Sequence, residues 1–172
     1  VKAIRAAIAD FENTGEKTAI TSALCEWYEI KNIQGIVPII YHPEFTRDKF
    51  AMLATQIDKA LKGKDQVFQK ICEEAGTEVA KLTIKAVEKA NLDLSPVPIF
   101  FSGGVLTFNY HAQKSFEKTL RDRFQIMLSQ PRLPTVLGST ILALRESDVP
   151  ITNDVVNQLT KTYKEADEIS KD

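Results

Sequence analysis

The chain has 172 residues, of which 44% are hydrophobic and 26% are charged, and its 22 basic and 23 acidic side chains give a net charge of −1. This composition is typical of one globular domain with a sizeable core. The charge balance argues against a nucleic-acid binder, which would carry a basic excess. No stretch approaches the roughly 18 apolar residues of a membrane span, so we expect no membrane partner. The two cysteines, Cys25 and Cys72, are typical of reduced thiols in a cytosolic protein.

The N-terminal part of the sequence predicts helices separated by turns. Apolar residues three and four positions apart predict a helix from residue 1 to about 13, and because that pattern is already under way at Val1, we interpret the chain as part of a longer protein. Thr18 can cap a second helix. A long helix is predicted over about 46–61, and Gly63 ends it.

Asp65 is predicted to cap the longest helix, which covers about 66–91. Gly76 lies in the middle of this helix, where glycine costs about 1 kcal/mol relative to alanine. We therefore expect a neighbouring element to pack closely against Gly76. The apolar positions expected along this helix are Val67, Phe68, Ile71, Cys72, Ala75, Val79, Leu82, Ala86 and Val87.

The most informative stretch is an apolar run over 97–101 that stops at the turn Ser102-Gly103-Gly104. A strand that ends in a glycine turn and leads into a helix lets the backbone approach a phosphate or nucleotide closely. Many junctions of this kind are purely structural, so the turn alone leaves both interpretations open. The following helix is predicted over 108–124, with its pattern beginning near Asn109.

The remaining elements are a short strand over 126–128, a helix of small residues over 136–145 and a terminal helix over 152–169 that Thr152 or Asn153 can cap. Gly138 opens the sequence Gly-Ser-Thr near the start of the second of these elements. Small residues there indicate either close packing of the helix or a position beside a ligand pocket. With two short strands, the sequence predicts a helix-rich α/β fold whose sheet takes further partners from elsewhere.

Other constellations give no catalytic or metal site. His42 and His111 have no cysteine or carboxylate at the spacing of metal ligands. The sequence has neither a serine-hydrolase elbow nor a P-loop. Cys25 and Cys72 lie within predicted helices, where a buried structural thiol is the expected role. We identify no catalytic residue in the chain.

The order of these segments resembles the C-terminal half of the BadF/BadG/BcrA/BcrD-type ATPases and N-acetylglucosamine kinases. The resemblance rests first on Ser102-Gly-Gly-Val105, a helix of about 17 residues, a short strand, a proline-rich loop and the segment 136–143. Upstream, the segments 24–41, 48–51 and 62–65 before a long helix are similar to the helical insertion of these kinases. The first seven residues look like the helix that follows the family's glycine-rich loop. The resemblance extends to about residue 148.

The family implies an actin-like, ribonuclease H-like ATPase domain in which ATP and Mg²⁺ bind in a cleft between two domains. Residues 1–148 would be the C-terminal nucleotide-cleft domain, with a helical insertion at about 14–91 and a strand–turn–helix core at about 97–148, and 149–172 would be a C-terminal helix. The matching positions imply that Ser102, Gly103, Gly104 and Val105 pack against the adenosine. Ala51 would border the adenine from the other side, and Gly138 would let a late helix approach the site.

The sequence departs from the family pattern in two places. Lys64 separates the glycine and aspartate that commonly introduce the long helix, and Ser139 stands where the family often has alanine. The family's phosphate-binding turn, catalytic aspartate and sugar-contacting residues lie upstream and have no counterpart here. The resemblance therefore implies the ATP-binding half of a carbohydrate kinase, inactive without an N-terminal domain and acting on N-acetylglucosamine or a related amino sugar.

Two alternatives stay open at the level of sequence. Related proteins include ATPase activators of hydroxyacyl-CoA dehydratases, which hold an iron–sulfur cluster through cysteines in glycine-rich turns, and the helical positions of Cys25 and Cys72 count against that function. The chain could also be a non-catalytic helical interaction domain, because it has no acid–base constellation. The kinase resemblance further implies a cytoplasmic protein of carbohydrate metabolism, and relatives of this kind often form homodimers.

Overall fold

Helices dominate the part of the chain that the computed structural model describes, residues 1–91 and 95–169. The first elements are α1 Lys2–Phe11, α2 Ile20–Trp27, a 3-10 turn Ile33–Gly35, α3 Ile36–Ile40, α4 Arg47–Leu61 and α5 Gln66–Ala90. Helices and strands then alternate as β1 Val97–Phe100, α6 Gly104–Phe108, α7 Tyr110–Arg121, β2 Ile126–Ser129, α8 Thr135–Glu146 and α9 Asn153–Ile169. The end of the predicted C-terminal segment, residues 170–172, lies outside the described residues.

The sequence predicts most of these elements, but the helix expected over 108–124 is wrong at its start. A short helix, α6, begins at Gly104, the last residue of the glycine turn, and α7 follows it after one residue. Asn109 separates the two because its backbone is extended, with φ −101° and ψ 108°. Its side chain accepts a hydrogen bond from the backbone N–H of Ala112 at 2.9 Å and so caps α7.

Two hydrophobic cores lie along the length of α5. The first core joins α1 to α4 with the start of α5 through Ile4, Ala7, Ile20, Leu24, Ile33, Ile36, Leu53, Ile57, Leu61 and Phe68. The second core joins the later part of α5 to the strands, α6 and α7 through Ala80, Val97, Ile99, Phe101, Leu106, Ala112, Phe116, Leu120 and Ile126. Cys72 is half-buried and packs against both cores. The 25-residue helix α5 is therefore the common support of the two cores.

The carboxylate of Asp65 holds the starts of α2 and α5 together. One of its oxygens accepts the backbone N–H of Phe68 at 2.7 Å, which confirms the predicted cap of α5. Its other oxygen accepts the backbone N–H of Ala19 at 2.7 Å and the hydroxyl of Thr18 at 2.9 Å. The Thr18 hydroxyl oxygen in turn accepts the N–H of Ile20 at 3.2 Å. A single side chain thus satisfies orphan donors at two helix starts.

Gly76 is the closest point between α5 and α7. A Cβ built on Gly76 would lie 2.8 Å from the carbonyl carbon of Ala112, and closer still to its oxygen. The expectation that a neighbouring element packs against this glycine is confirmed. Ala80, one turn further along α5, is fully buried on the same side. Small residues at both positions let the two helix backbones approach.

The expected apolar face of α5 is wrong at three positions. Val79 is 37% exposed, Leu82 is 66% exposed, and Ala86 is exposed as well. The direction of the buried face follows Phe68, Gly76 and Ala80, because α7 contacts the helix through its smallest side chains. Apolar character alone could not identify this face, since the exposed Leu82 is larger than the buried Gly76 and Ala80.

The strands β1 and β2 form a parallel pair in which Val97 lies opposite Ile126 and Phe100 opposite Ser129. A crossover through α6 and α7 connects them, as expected for parallel strands. One face of the pair is buried in the second core, whereas Phe100 and Met127 on the other face are 64% and 52% exposed. The described residues thus form a helix-rich α/β fold with a two-stranded sheet, in agreement with the sequence.

The last two described elements pack against each other more than against the cores. On α8, Leu137 is buried, but Val136 and Leu142 are 55% and 61% exposed. Thr152 contributes its hydroxyl to the start of α9 and accepts the N–H of Val155 at 3.4 Å. Among the described residues, no helix is both long enough and apolar enough to cross a membrane.

Candidate functional site

The glycine turn lies at the end of β1, on the surface of the molecule. Phe101 closes the strand: its side chain is buried and its backbone N–H donates to the carbonyl of Ser129 at 3.2 Å. Ser102, Gly103 and Gly104 follow as exposed residues. Gly103 has φ +101° and ψ 151°, a conformation open essentially only to glycine. The backbone geometry therefore requires glycine at position 103.

Gly104 has a different environment from Gly103. Its φ is not positive, and a Cβ at this position would find its nearest neighbour at 4.0 Å, the Cδ2 atom of Phe108. Neither strain nor packing within the described residues thus requires a glycine here. Val105 is 54% exposed beside it, whereas Leu106 is buried in the second core and anchors α6. The surface at Gly104 is open to a molecule from outside.

The start of α8 lies beside the turn. The hydroxyls of Ser102 and Thr135 are 3.1 Å apart and form a hydrogen bond. Gly138 follows Thr135 by three residues, about one turn of helix. A Cβ on Gly138 would meet nothing within 4 Å, so this glycine does not serve close helix packing in the described part of the chain. The structure thereby brings the turn and the Gly138 end of α8 to one exposed region.

Ala51, the remaining residue of the predicted site, is exposed on α4. The connection from α4 to the turn region runs through Asp58, seven residues further along the helix. The Nδ2 atom of Asn109 donates to Oδ1 of Asp58 at 3.2 Å. Seven helical residues span about 10 Å. Ala51 therefore lies on the helix that is hydrogen-bonded to Asn109, two turns away from the bonded residue Asp58.

Two open depressions lie away from these residues. One, of about 520 Å³, lies between α2 and α4 and is lined by Ala23, Leu24, Glu26, Trp27, Leu53, Gln56, Ile57, Lys59 and Ala60. The other, of about 440 Å³, lies at the α8–α9 junction and is lined by Ile141, Arg145, Asp148, Val149, Pro150 and Ile151. None of the six predicted site residues lines either depression. The predicted residues at the turn, Ser102, Gly103, Gly104 and Val105, are exposed at the end of β1, and Ala51 is exposed on α4.

Metal-binding groups are not gathered together in the described ranges 1–91 and 95–169, where no three His, Cys, Asp or Glu side chains could hold an ion. His42 lies beside Glu44 with 4.0 Å between Nδ1 and the carboxylate, and His111 lies 3.7 Å from Glu73. Each histidine sits next to a single carboxylate.

The cysteines lie on two different helices, Cys25 on α2 and Cys72 on α5, and both are free thiols. Burial, and then the negative charge of Asp58, raise the pKa of the Cys72 thiol to about 11. At neutral pH this group is a protonated thiol rather than a nucleophile or metal ligand. Its environment matches the structural role expected from the sequence.

Sequence reasoning identified the turn but missed the polar groups that fix its surroundings. Asn109 carries the signal of a helix cap, a polar residue just before an apolar helical pattern, and could have been found that way. Its second partner, Asp58, is 51 residues away in the chain, and the Ser102–Thr135 pair is 33 residues apart. No local pattern predicts contacts over such separations.

The chain is similar to the N-acetylmuramic acid/N-acetylglucosamine kinase of Clostridium acetobutylicum, with 27% identity over 150 residues. The matched region covers 86% of this chain and 49% of that protein, so the chain spans about half the length of the curated relative it matches. No family profile matches the chain. The similarity supports a relationship to the sugar kinases and a kinase-type function in general.

Proposed function

We propose that this chain is the ATP-binding half of an ATP-dependent sugar kinase of the BadF/BadG/BcrA/BcrD type, with an actin-like fold completed by an N-terminal domain. The similarity to a kinase named for two amino sugars supports this proposal over 86% of the chain. The phosphoryl acceptor would be N-acetylglucosamine or a related amino sugar. In the complete protein an aspartate outside this chain would take the proton of the sugar hydroxyl as the γ-phosphoryl group is transferred, giving ADP and a sugar phosphate.

The observation that carries the proposal is the open glycine turn between β1 and α6. Its backbone is exposed, Gly103 has a conformation that only glycine adopts readily, and Gly104 has free space where a side chain would be. Such a surface lets a flat, rigid ligand approach the main chain without meeting a Cβ atom. A nucleotide is the ligand that a kinase needs at such a turn.

The proposed site comprises Ser102, Gly103, Gly104 and Val105 at the turn, Gly138 on α8 and Ala51 on α4. The turn would pack against the adenosine, and Gly138 would leave room for the nucleotide beside α8, which the Ser102–Thr135 hydrogen bond holds in place. Ala51 would border the adenine from the side of α4. Mg²⁺ would reach the site with the phosphates of ATP, and its protein ligands would come from outside this chain.

Gly104→Val tests the site directly. A branched side chain would fill the space in which we place the adenosine, so the dissociation constant of ADP for the chain, measured by isothermal titration calorimetry, should rise at least about tenfold. Ala86→Val is the matched control, because it puts the same β-branched side chain on an exposed face of α5. Unchanged ADP binding by the Gly104 variant would refute the site.

The function is tested with a longer protein that contains these 172 residues. Release of ADP from Mg-ATP that depends on N-acetylglucosamine or N-acetylmuramic acid would support the kinase. Release that ignores the sugar, together with bound iron, would instead support an ATPase activator of the dehydratase type. No binding of ATP and no release of ADP would favour a non-catalytic helical domain and contradict the proposal.

A further inference from the structure

Asn109 makes three kinds of connection at the junction between α6 and α7. Its backbone N–H donates to the carbonyl of Val105 at 3.1 Å and closes α6. Its side-chain oxygen accepts the N–H of Ala112 at 2.9 Å and starts α7. Its side-chain nitrogen donates to Asp58 on α4 at 3.2 Å. One carboxamide therefore uses both ends of its hydrogen-bonding capacity on two different helices.

The bond to Asp58 has a special position in the described part of the chain. Among residues 1–91 and 95–169, it is the hydrogen bond that joins the elements α1–α4 to the segment 97–129, and no ion pair joins them there. Both parts also pack against α5, which the two cores share. The orientation of the glycine turn relative to α4 depends on this polar link and on α5.

The surroundings of the link are half-buried. Asn109 and Asp58 are both partly shielded from solvent, and Cys72 of α5 lies beside them, where Asp58 and Asn109 both act on its thiol. Every buried side-chain nitrogen or oxygen among the described residues has a hydrogen-bond partner. A partly desolvated hydrogen bond to a carboxylate is stronger and more directional than one on the open surface. The Asn109–Asp58 hydrogen bond can therefore fix the position of the α6–α7 junction relative to α4.

We propose that Asn109 is a positioning residue for the nucleotide: its bond to Asp58 holds the turn of Gly103 and Gly104 at a fixed distance from α4, so that the turn and Ala51 can engage the two sides of one base. This inference rests on the proposed function, because it concerns the same site. Asn109 need not touch the nucleotide. It acts through α6, whose last turn ends on its own backbone N–H.

An exchange of the two partners separates this role from a general loss of structure. In Asn109→Asp the cap of α7 remains, because aspartate caps helices as well as asparagine does, but two carboxylates now face each other. In Asp58→Asn the carbonyl oxygen can still accept from Asn109, so the link survives. In the double variant the amide of residue 58 donates to the carboxylate of residue 109, and the link re-forms with its polarity reversed.

The measurements are the dissociation constant of ADP and the hydrogen exchange of the amides in residues 103–109 of the full 172-residue chain. In Asn109→Asp we expect ADP binding to weaken about five- to tenfold and the protection of the Thr107 and Asn109 amides to fall by a similar factor. Asp58→Asn should stay within about twofold of the unchanged chain, and the double variant should recover both quantities. Asp58→Ala, which removes the acceptor without touching the cap, should behave like Asn109→Asp.

Asn32→Asp is the matched control for the added charge. Asn32 is also a helix cap, although a more exposed one: its side chain accepts the N–H of Gln34 at 3.1 Å and has no carboxylate partner among the described residues. If Asn109→Asp binds ADP as tightly as Asn32→Asp, or if the double variant fails to recover binding, the positioning role is overturned while the proposed function stands. If the unchanged chain binds no ADP, the proposed function fails and this inference fails with it.

Discussion

Glycine has opposite surroundings in two regions of this molecule. Between α5 and α7 a Cβ on Gly76 would run into the backbone of Ala112, whereas at the turn and on α8 a Cβ on Gly104 or Gly138 would meet at most the ring of Phe108 at 4.0 Å. In the first region the missing side chain lets two helices pack. In the second region the chain itself does not use the space that glycine leaves.

The same contrast separates the two parts of the fold. The first core and the α5–α7 contact are closed, with side chains such as Asp65 and Asp10 fully engaged by neighbours. The outer face of the strands and the α8–α9 pair are open, with several large apolar side chains half exposed. We expect substitutions in the closed regions to change the free energy of unfolding, and substitutions in the open regions to change ligand binding.

The largest effect is expected for Gly76→Ala. Alanine gains about 1 kcal/mol in helix propensity, but its Cβ would collide with the Ala112 backbone, which cannot move aside as a side-chain tip could. The collision should win and lower the free energy of unfolding, measured by urea denaturation, by about 3 kcal/mol. Gly138→Ala is the matched control in the open region and should raise stability by about 0.5–1 kcal/mol. The same sign for both variants would remove the contrast.

A smaller loss is expected for Asp65→Ala in the closed region. The substitution removes the cap of α5 and the bonds to Thr18 and Ala19 at the start of α2, so the free energy of unfolding should fall by about 2 kcal/mol. Thr152→Ala removes one longer capping bond of 3.4 Å from α9 and should cost about 0.5 kcal/mol or less. Equal losses would show that the second helix start gains nothing from Asp65.

The smallest effect concerns pH. The hydroxyl of Thr21, which donates to Asp10 at 2.6 Å, and then the ammonium group of Lys17 lower the pKa of the Asp10 carboxyl. Because the folded pKa lies below the unfolded value of about 3.9, the stabilisation is present above that value and is lost as the pH falls through the folded pKa. Thr21→Val should therefore lower the melting temperature at pH 7 and lose less stability than the unchanged chain on acidification.

Thr160→Val is the control for this pH dependence. The hydroxyl of Thr160 donates to the backbone carbonyl of Val156 at 2.7 Å and has no carboxylate partner. Its removal should shift the melting temperature by a similar amount at every pH between about 3 and 7. If the melting curves of the Thr21 variant and the unchanged chain stay parallel on acidification, Asp10 does not contribute in this way.

Local chemistry was enough to predict most of the elements. Gly63 after one apolar helical pattern predicted the end of α4, and Asp65 before the next predicted the start of α5. The apolar run before Ser102 predicted a strand that ends in a glycine turn. Even the role of Gly76 was predictable in kind, because a glycine in a helix interior costs free energy that close packing can offset. Patterns of this sort act within one or two turns of chain, so one sequence window contains the whole cause.

The sequence could not predict which face of a helix is buried or which residues far apart in the chain come into contact. It assigned Val79 and Leu82 to the buried face of α5, and the structure exposes both because α7 contacts the helix through Gly76 and Ala80. It placed Ala51 and the glycine turn in one site by resemblance, and that assignment stays a prediction. The Asn109–Asp58 link between their helices became visible only in the folded chain.

The sequence by itself thus determined most of the helices and strands, the glycine turn and a similarity that supports a sugar-kinase type of function. Tertiary structure decided which side of each helix is buried and how α4 is held to the turn. It also decided at which glycines a neighbouring element occupies the space of the missing side chain and at which that space is empty. The physical reason is range: caps, turns and periodicity depend on neighbours in the chain, whereas packing and hydrogen bonds between distant residues depend on where the whole chain places them.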